Sequence, residues 1–276
     1  MSGSEPDDSS FIKGKVFYMS NEIATIKNDY PVLDGDSREA MILASKFQGE
    51  PLKESDLSTI RTPAGGSTTF SWTNQVGQPQ TATEIQGVLV ANAGRGTLWP
   101  TREPSGSKPL VTTHDLLVGY QTGEDYGDVD AAVLERYLRE DGTYDWAAMS
   151  NSADFGFGSA GRGKRVKESH VLAILQPGEI LPVLVQLGTA SLSAWSRFTK
   201  ALSVLPHEAV ISVTLEKAKN MGGQPYSRMV FALKGTLTPE EGAVVYESYT
   251  KPLDAVLKRK PYAVSAPSTA TEEAPF

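Results

Sequence analysis

Ala209, Ile211, Val213 and Leu215 alternate with less apolar neighbours, and Met229, Phe231 and Leu233 repeat the pattern beyond Asn220-Met221-Gly222-Gly223. Period-two alternation buries one face of a strand, and a glycine-bearing turn between two such runs predicts an antiparallel hairpin. A second pair of apolar runs, 169–175 and 179–187, flanks Gln176-Pro177-Gly178 and predicts another. A chain that must seat two such hairpins commits its core to a sheet.

Strand formers also dominate 67–73 and 84–92, with a further short run at 97–99. Helices are expected at 38–47 behind Ser37 as N-cap, and at 129–138, where Val129, Val133, Leu134, Tyr137 and Leu138 recur at helical spacing. Ser191 is expected to cap another, with Leu192, Trp195, Phe198 and Leu202 on one side. Thr238-Pro239-Glu240-Glu241 is a capping box with Pro at the first helical position, so a helix should run towards Tyr249. The expected fold is mainly β within an α+β pattern. An OB-like Greek-key barrel with large insertions and a few peripheral helices satisfies it, and so does an ordinary mixed domain. Residues 13–260 read as one elaborated domain between two disordered tails, acidic at 1–12 and rich in Ala, Ser, Thr and Pro at 261–276.

The chain has no cysteine, which excludes disulfides, thiolate chemistry and sulfur-built zinc sites, and fits a reducing compartment. Its polar, acidic start lacks the features of a signal peptide, and no apolar run approaches the roughly 20 residues a membrane helix needs. The expectation is a cytoplasmic protein with no membrane partner. Net charge is −7, unpromising for a nucleic-acid binder, but Glu5, Asp7, Asp8, Glu272 and Glu273 lie in the tails and leave the body near −2. Such a body can still carry a local basic stripe.

One segment has the composition of a single-strand contact surface: Phe155-Gly156-Phe157-Gly158-Ser159-Ala160-Gly161-Arg162-Gly163-Lys164-Arg165-Val166-Lys167. Phe155 and Phe157 can stack on bases, while Arg162, Lys164, Arg165 and Lys167 neutralise phosphates that the glycines allow close to the backbone. The competing reading is a solvated flexible loop. It is not a phosphate-binding loop, because Arg165 rather than Ser or Thr follows Lys164. Trp72, beside Phe70, and Arg95, Trp99 and Arg102 could extend the platform, although Trp is more often a core residue. Lys217 and Lys219, with Tyr226 and Arg228 across the presumed hairpin, either line the same groove or decorate a solvated face.

Catalytic and metal signatures are sparse. His114, His170 and His207 are scattered without ligand spacing, so no cofactor and no metal are expected. The acidic run from Glu124 to Asp130 lacks the calcium-loop register and reads more simply as a solvated loop.

The chain ends Thr271-Glu272-Glu273-Ala274-Pro275-Phe276. A terminal ring can enter an apolar hole while its carboxylate meets a cation, with Glu272 and Glu273 steering and Pro275 restricting the backbone. These six residues resemble the acidic tip of bacterial and phage single-stranded-DNA-binding proteins. The resemblance implies an OB-like fold and non-catalytic binding of strands exposed in DNA replication or recombination, in a bacterial or phage-infected cell. It also implies that Glu272, Glu273, Pro275 and Phe276 recruit replication or recombination proteins. Oligomeric state stays open. A virion or assembly protein without nucleic-acid binding, and a metal-dependent nucleic-acid enzyme using the 124–130 run, are the alternatives.

Overall fold

The computed structural model describes residues 29–34, 36–49, 52–102, 108–160 and 163–260. The acidic tip and Arg162 therefore lie outside the described residues, as do both tails. Helix α1 (Arg38–Gly49) precedes strands β1 (Thr59–Arg61), β2 (Phe70–Thr73), β3 (Pro79–Ala82) and β4 (Glu84–Leu98). Next come β5 (Val111–Thr113), β6 (Val118–Gln121), α2 (Ala131–Glu135), β7 (Tyr144–Asp145) and α3 (Trp146–Asn151). Two short strands follow, β8 (Phe157–Ala160) and β9 (Gly163–Lys164), then β10 (Lys167–Leu175), β11 (Val183–Leu187) and α4 (Thr189–Ala201). The last elements are β12 (Ala209–Lys219), β13 (Pro225–Thr236), α5 (Pro239–Val245) and α6 (Lys251–Leu257).

β4 organises the molecule. Val88 pairs with both Leu175 and Val210, so β10 and β12 occupy opposite edges of this strand. Gly96 likewise pairs with Glu168 and Thr113, which places β5 on the same edge as β12 but at the other end of β4. Both predicted hairpins are present, β10 with β11 and β12 with β13. The strands expected at 84–92 and 97–99 are one continuous strand. The described part of the sheet begins with β1, parallel to β11, a pairing between residues too far apart in sequence for local pattern to reveal. Among the described residues β1 and β13 each have one neighbour, so no hydrogen-bonded pair closes the sheet into a barrel. The architecture is a strand-rich α/β arrangement around a large mixed sheet.

A bulge sets which side chains face which layer. Ala173 pairs with Ala91 but Ile174 with Leu89, leaving Val90 as an extra residue on β4. Before it, Ile85 and Leu89 point with Leu172 and Ile174 into one core; beyond it, Ala91 and Ala93 join Val171 and Ala173 in the other. Helix α4 covers the first face, where Trp195 meets Phe231 edge-on at 5.2 Å. Helices α1, α5 and α6 cover the second through Leu43, Val245, Leu253 and Leu257. Each fully buried aliphatic side chain there contributes roughly 1.5–3 kcal/mol by leaving water.

Local chemistry explains where the helices depart from expectation. Ser37 does cap α1, accepting the Ala40 amide at 3.0 Å. Ser191 does not cap α4: Gly188 holds that position, and the buried Ser191 hydroxyl accepts the Met229 amide of β13 at 3.0 Å. The helix expected at 129–138 shortens to α2, capped by Asp130, because Leu138 turns back to bridge Tyr144. The capping box at Thr238 and Glu241 forms as read. The chain then passes through a π-helical segment, Tyr246–Thr250, into α6. Pro252 lacks the N–H that would close a regular turn there, consistent with the widening.

A third core sits on the C-terminal end of β4, built from Leu98, Leu110, Val111, Leu134, Tyr144, Trp146, Met149, Phe155 and Val166. Two glycines permit its contact with the strand. A Cβ at Gly94 would stand 2.5 Å from Leu116 Cγ, and one at Gly96 would stand 2.3 Å from the Trp146 ring. Leu116 is itself held at φ 60°, unusual for a branched side chain. Asp115 fixes that turn by accepting the Leu117 and Val118 amides at 2.7 and 2.9 Å.

Candidate nucleic-acid interface

The segment expected to be a stacking loop is a hairpin with two sides. Phe155 is 4% exposed and packs edge-on against Tyr137 at 5.7 Å, so it belongs to the third core and cannot stack on a base. Arg165 is also buried, donating to the Pro100 carbonyl at 2.9 Å and to Asp128. Burial draws its guanidinium pKa down, with the Asp128 carboxylate opposing that shift. Both residues are corrections to the sequence reading: composition marks an aromatic and a cation but not their faces. Gly156 is sterically required, since a Cβ would lie 2.3 Å from the Ser152 carbonyl oxygen.

The outward side presents the exposed ring. Phe157 is 79% exposed at the start of β8, paired with Lys164 of β9. The Lys164 ammonium lies 5.2 Å from the centre of its ring and 2.9 Å from the Glu168 carboxylate. Glu168 in turn accepts the indole N–H of the buried Trp146 at 3.2 Å. A cation held between a ring and an anchored carboxylate is preorganised rather than free to wander. Lys167 is exposed beside them, and Arg102, also exposed, reaches the Ser159 carbonyl at 3.4 Å. Trp99, one residue past β4, is half-buried. The sequence reading missed Glu168, and its four-residue spacing from Lys164 carries no signal on strands, because only the turn between β9 and β10 brings the two together.

The remaining expected contacts do not join this group. Lys167 pairs with Thr97 at one end of β4, whereas Thr214 pairs with Glu84 at the other, with Lys217, Lys219, Tyr226 and Arg228 beyond it. At about 3.3 Å per residue these two ends are on the order of 40 Å apart. Lys217 and Lys219 are exposed, while Arg228 is paired with Glu216. Trp72 packs partly against the core under α4. Arg95 has an internal role, bonding Glu54 at 2.7 Å and the last carbonyl of α6, Leu257. That satisfies an orphan helix-end acceptor.

The acidic run is largely consumed locally. Asp125 accepts the Gly127 amide, Asp128 holds Arg165 and Asp130 caps α2. Among the described residues no cluster of three or more His, Asp or Glu could hold a metal ion, and no helix is long and apolar enough to cross a membrane. No family model, no curated protein and no solved structure matches this chain.

Proposed function

We propose that this chain binds single-stranded DNA, without catalysis, on strands exposed during replication or recombination, and that the β8–β9 hairpin is a principal contact. The observation that carries this is the Phe157 ring, 79% exposed with the Lys164 ammonium 5.2 Å from its centre. Stacking on such a ring is tolerant of sequence because every base has a π-face, and the exposed Lys167 nearby supplies a cation for the phosphates between bases. The overall negative charge disfavours indiscriminate duplex binding and leaves affinity to focused sites such as this one. An OB-like surface is supported by the long, bulged β4 shared between two hairpins and by β1 running parallel to β11. Recruitment of partner proteins by Glu272, Glu273, Pro275 and Phe276 rests on the resemblance of that segment alone.

Titrating labelled oligo-dT against duplex of equal length tests the binding. Salt-sensitive binding to single strands alone is the expected result, and no binding at low salt overturns it. Magnesium-dependent cleavage of the probe would favour the nucleic-acid enzyme instead.

A further inference from the structure

The β2–β3 hairpin and the turn joining β10 to β11 line an open cleft with a volume of about 470 Å³. That lies within the range of small-molecule sites, roughly 300–1,000 Å³. One wall is the half-buried Trp72, seated against the core beneath α4. Gln75, Gln80, Gln176, Glu179 and Ser58 also line the cleft. Trp72 and Gln80 are directly paired across the hairpin, so ring and carboxamide share one rigid ladder position. The hairpin tip is fixed by Asn74, whose side-chain oxygen accepts the Val76 and Gln78 amides at 3.1 and 2.8 Å.

The polar inventory indicates the ligand. The carboxamides of Gln75, Gln80 and Gln176 line the cavity, each offering a donor and an acceptor. No Lys or Arg lines it, so it is not built for a phosphate. An aromatic wall with carboxamides suits a flat, neutral group carrying donors and acceptors on its edge. A glutamine amide can read such an edge bidentately, as it does with adenine. We infer that this cavity takes one unpaired nucleobase of a bound strand, its ring on Trp72 and its edge towards Gln80 and Gln176. The ligand class rests on the single-strand binding proposed above, while the site is separate from Phe157, at the other end of β4. Lys217 and Lys219 are exposed on β12. Lys217 packs against Gly66, in the segment leading into β2, where a Cβ would be 2.9 Å from its Cγ.

Base identity provides the test, because Phe157 stacking is indifferent to it and a carboxamide-lined pocket is not. Affinities of the full chain for oligo-dA, oligo-dC and oligo-dT are expected to differ by roughly fivefold or more, and the Q80L/Q176L double variant should level them. Equal affinities for all three, unchanged in that variant, overturn the pocket while leaving single-strand binding intact. If no oligonucleotide binds, the single-strand reading falls, and adenosine, cytidine and thymidine are titrated against intrinsic tryptophan fluorescence. Saturable quenching by a nucleoside that is lost in Q80L/Q176L keeps the pocket, and absence of quenching overturns it. Quenching by a neutral disaccharide but by no nucleoside also overturns it, since a sugar would then be the ligand.

Discussion

The ammonium of Lys164 stands 5.2 Å from the centre of the Phe157 ring, while Phe155, two residues earlier, is inside the third core. One short segment thus separates an exposed aromatic from a structural one. Phe157→Ala should weaken oligo-dT binding by about 1–3 kcal/mol, or roughly 5- to 150-fold, if one base stacks there. Its urea midpoint should stay at the wild-type value. Phe155→Ala should do the reverse, lowering stability by about 3–5 kcal/mol with affinity per folded molecule preserved. Anisotropy titrations read beside urea melts separate the two. Equal affinity losses in both variants would contradict this division.

Lys167 is exposed and has no ion pair among the described residues. Lys167→Met should therefore lower affinity evenly across sequences and reduce the slope of log affinity against log salt by about 0.7, the share of one phosphate on a single strand. Arg165→Met should leave that slope unchanged, because its guanidinium is already committed to Asp128 and the Pro100 carbonyl. Its effect should appear in thermal stability, since the partners lose a buried donor. Titrations at several salt concentrations would show which cation releases counterions.

Much of the sheet was legible because period-two alternation is a local property: both hairpins, the capping box at Thr238 and the cap at Ser37 follow from spacing alone. The parallel pairing of β1 with β11 was not, since it joins residues more than a hundred positions apart. Nor was the bulge at Val90, which depends on the neighbouring strand keeping its own alternation. At the candidate interface, residue types were readable and faces were not. Arg95 and Arg165 look like surface cations in sequence, yet the fold uses each guanidinium to satisfy buried carbonyls. Trp72 reads as a candidate stacking residue and Gln75 and Gln80 share its hairpin, but Gln176 joins them only when β2–β3 meets the turn after β10.

Gly94 and Gly96 bracket Arg95 on β4, and their missing side chains let the third core lie against the strand. Gly96→Ala should cost about 1–3 kcal/mol, because Trp146 and Thr113 are both buried and have little room to withdraw. Gly94→Ala should cost less than that if Leu116 can shift, since the clash is with the side chain of a half-buried turn residue. Chemical denaturation of the two variants gives the ranking. A Gly96→Ala protein as stable as wild type would refute the close packing of Trp146 on the strand.

Acidification should expose two half-buried histidines as weak points. Burial is the largest influence on both His114 and His170 and lowers each below the ordinary value of 6.5. For His114 the nearby Arg95 charge lowers it further, while the Arg259 carbonyl, accepting from Nδ1 at 2.7 Å, pulls the other way. The Nδ1 of His170 is buried and has no hydrogen-bond partner among the described residues. Between the unfolded and folded values the unfolded chain binds more protons, so stability rises with pH across that interval. It should be constant above neutral pH, then fall as pH drops below about 6.5 towards the folded values. Asp115 acts in a separate window. Its burial alone would raise the carboxyl, but the Val118 and Leu117 amides and the Thr113 hydroxyl outweigh that and lower it below 3.8. Its contribution is present above the unfolded value and is lost only as pH falls through the folded one. Urea midpoints measured from neutral to about pH 5 should therefore decline in the wild type and decline less in His170→Gln. A profile flat across that range in the wild type would mean that neither imidazole is held neutral by the fold.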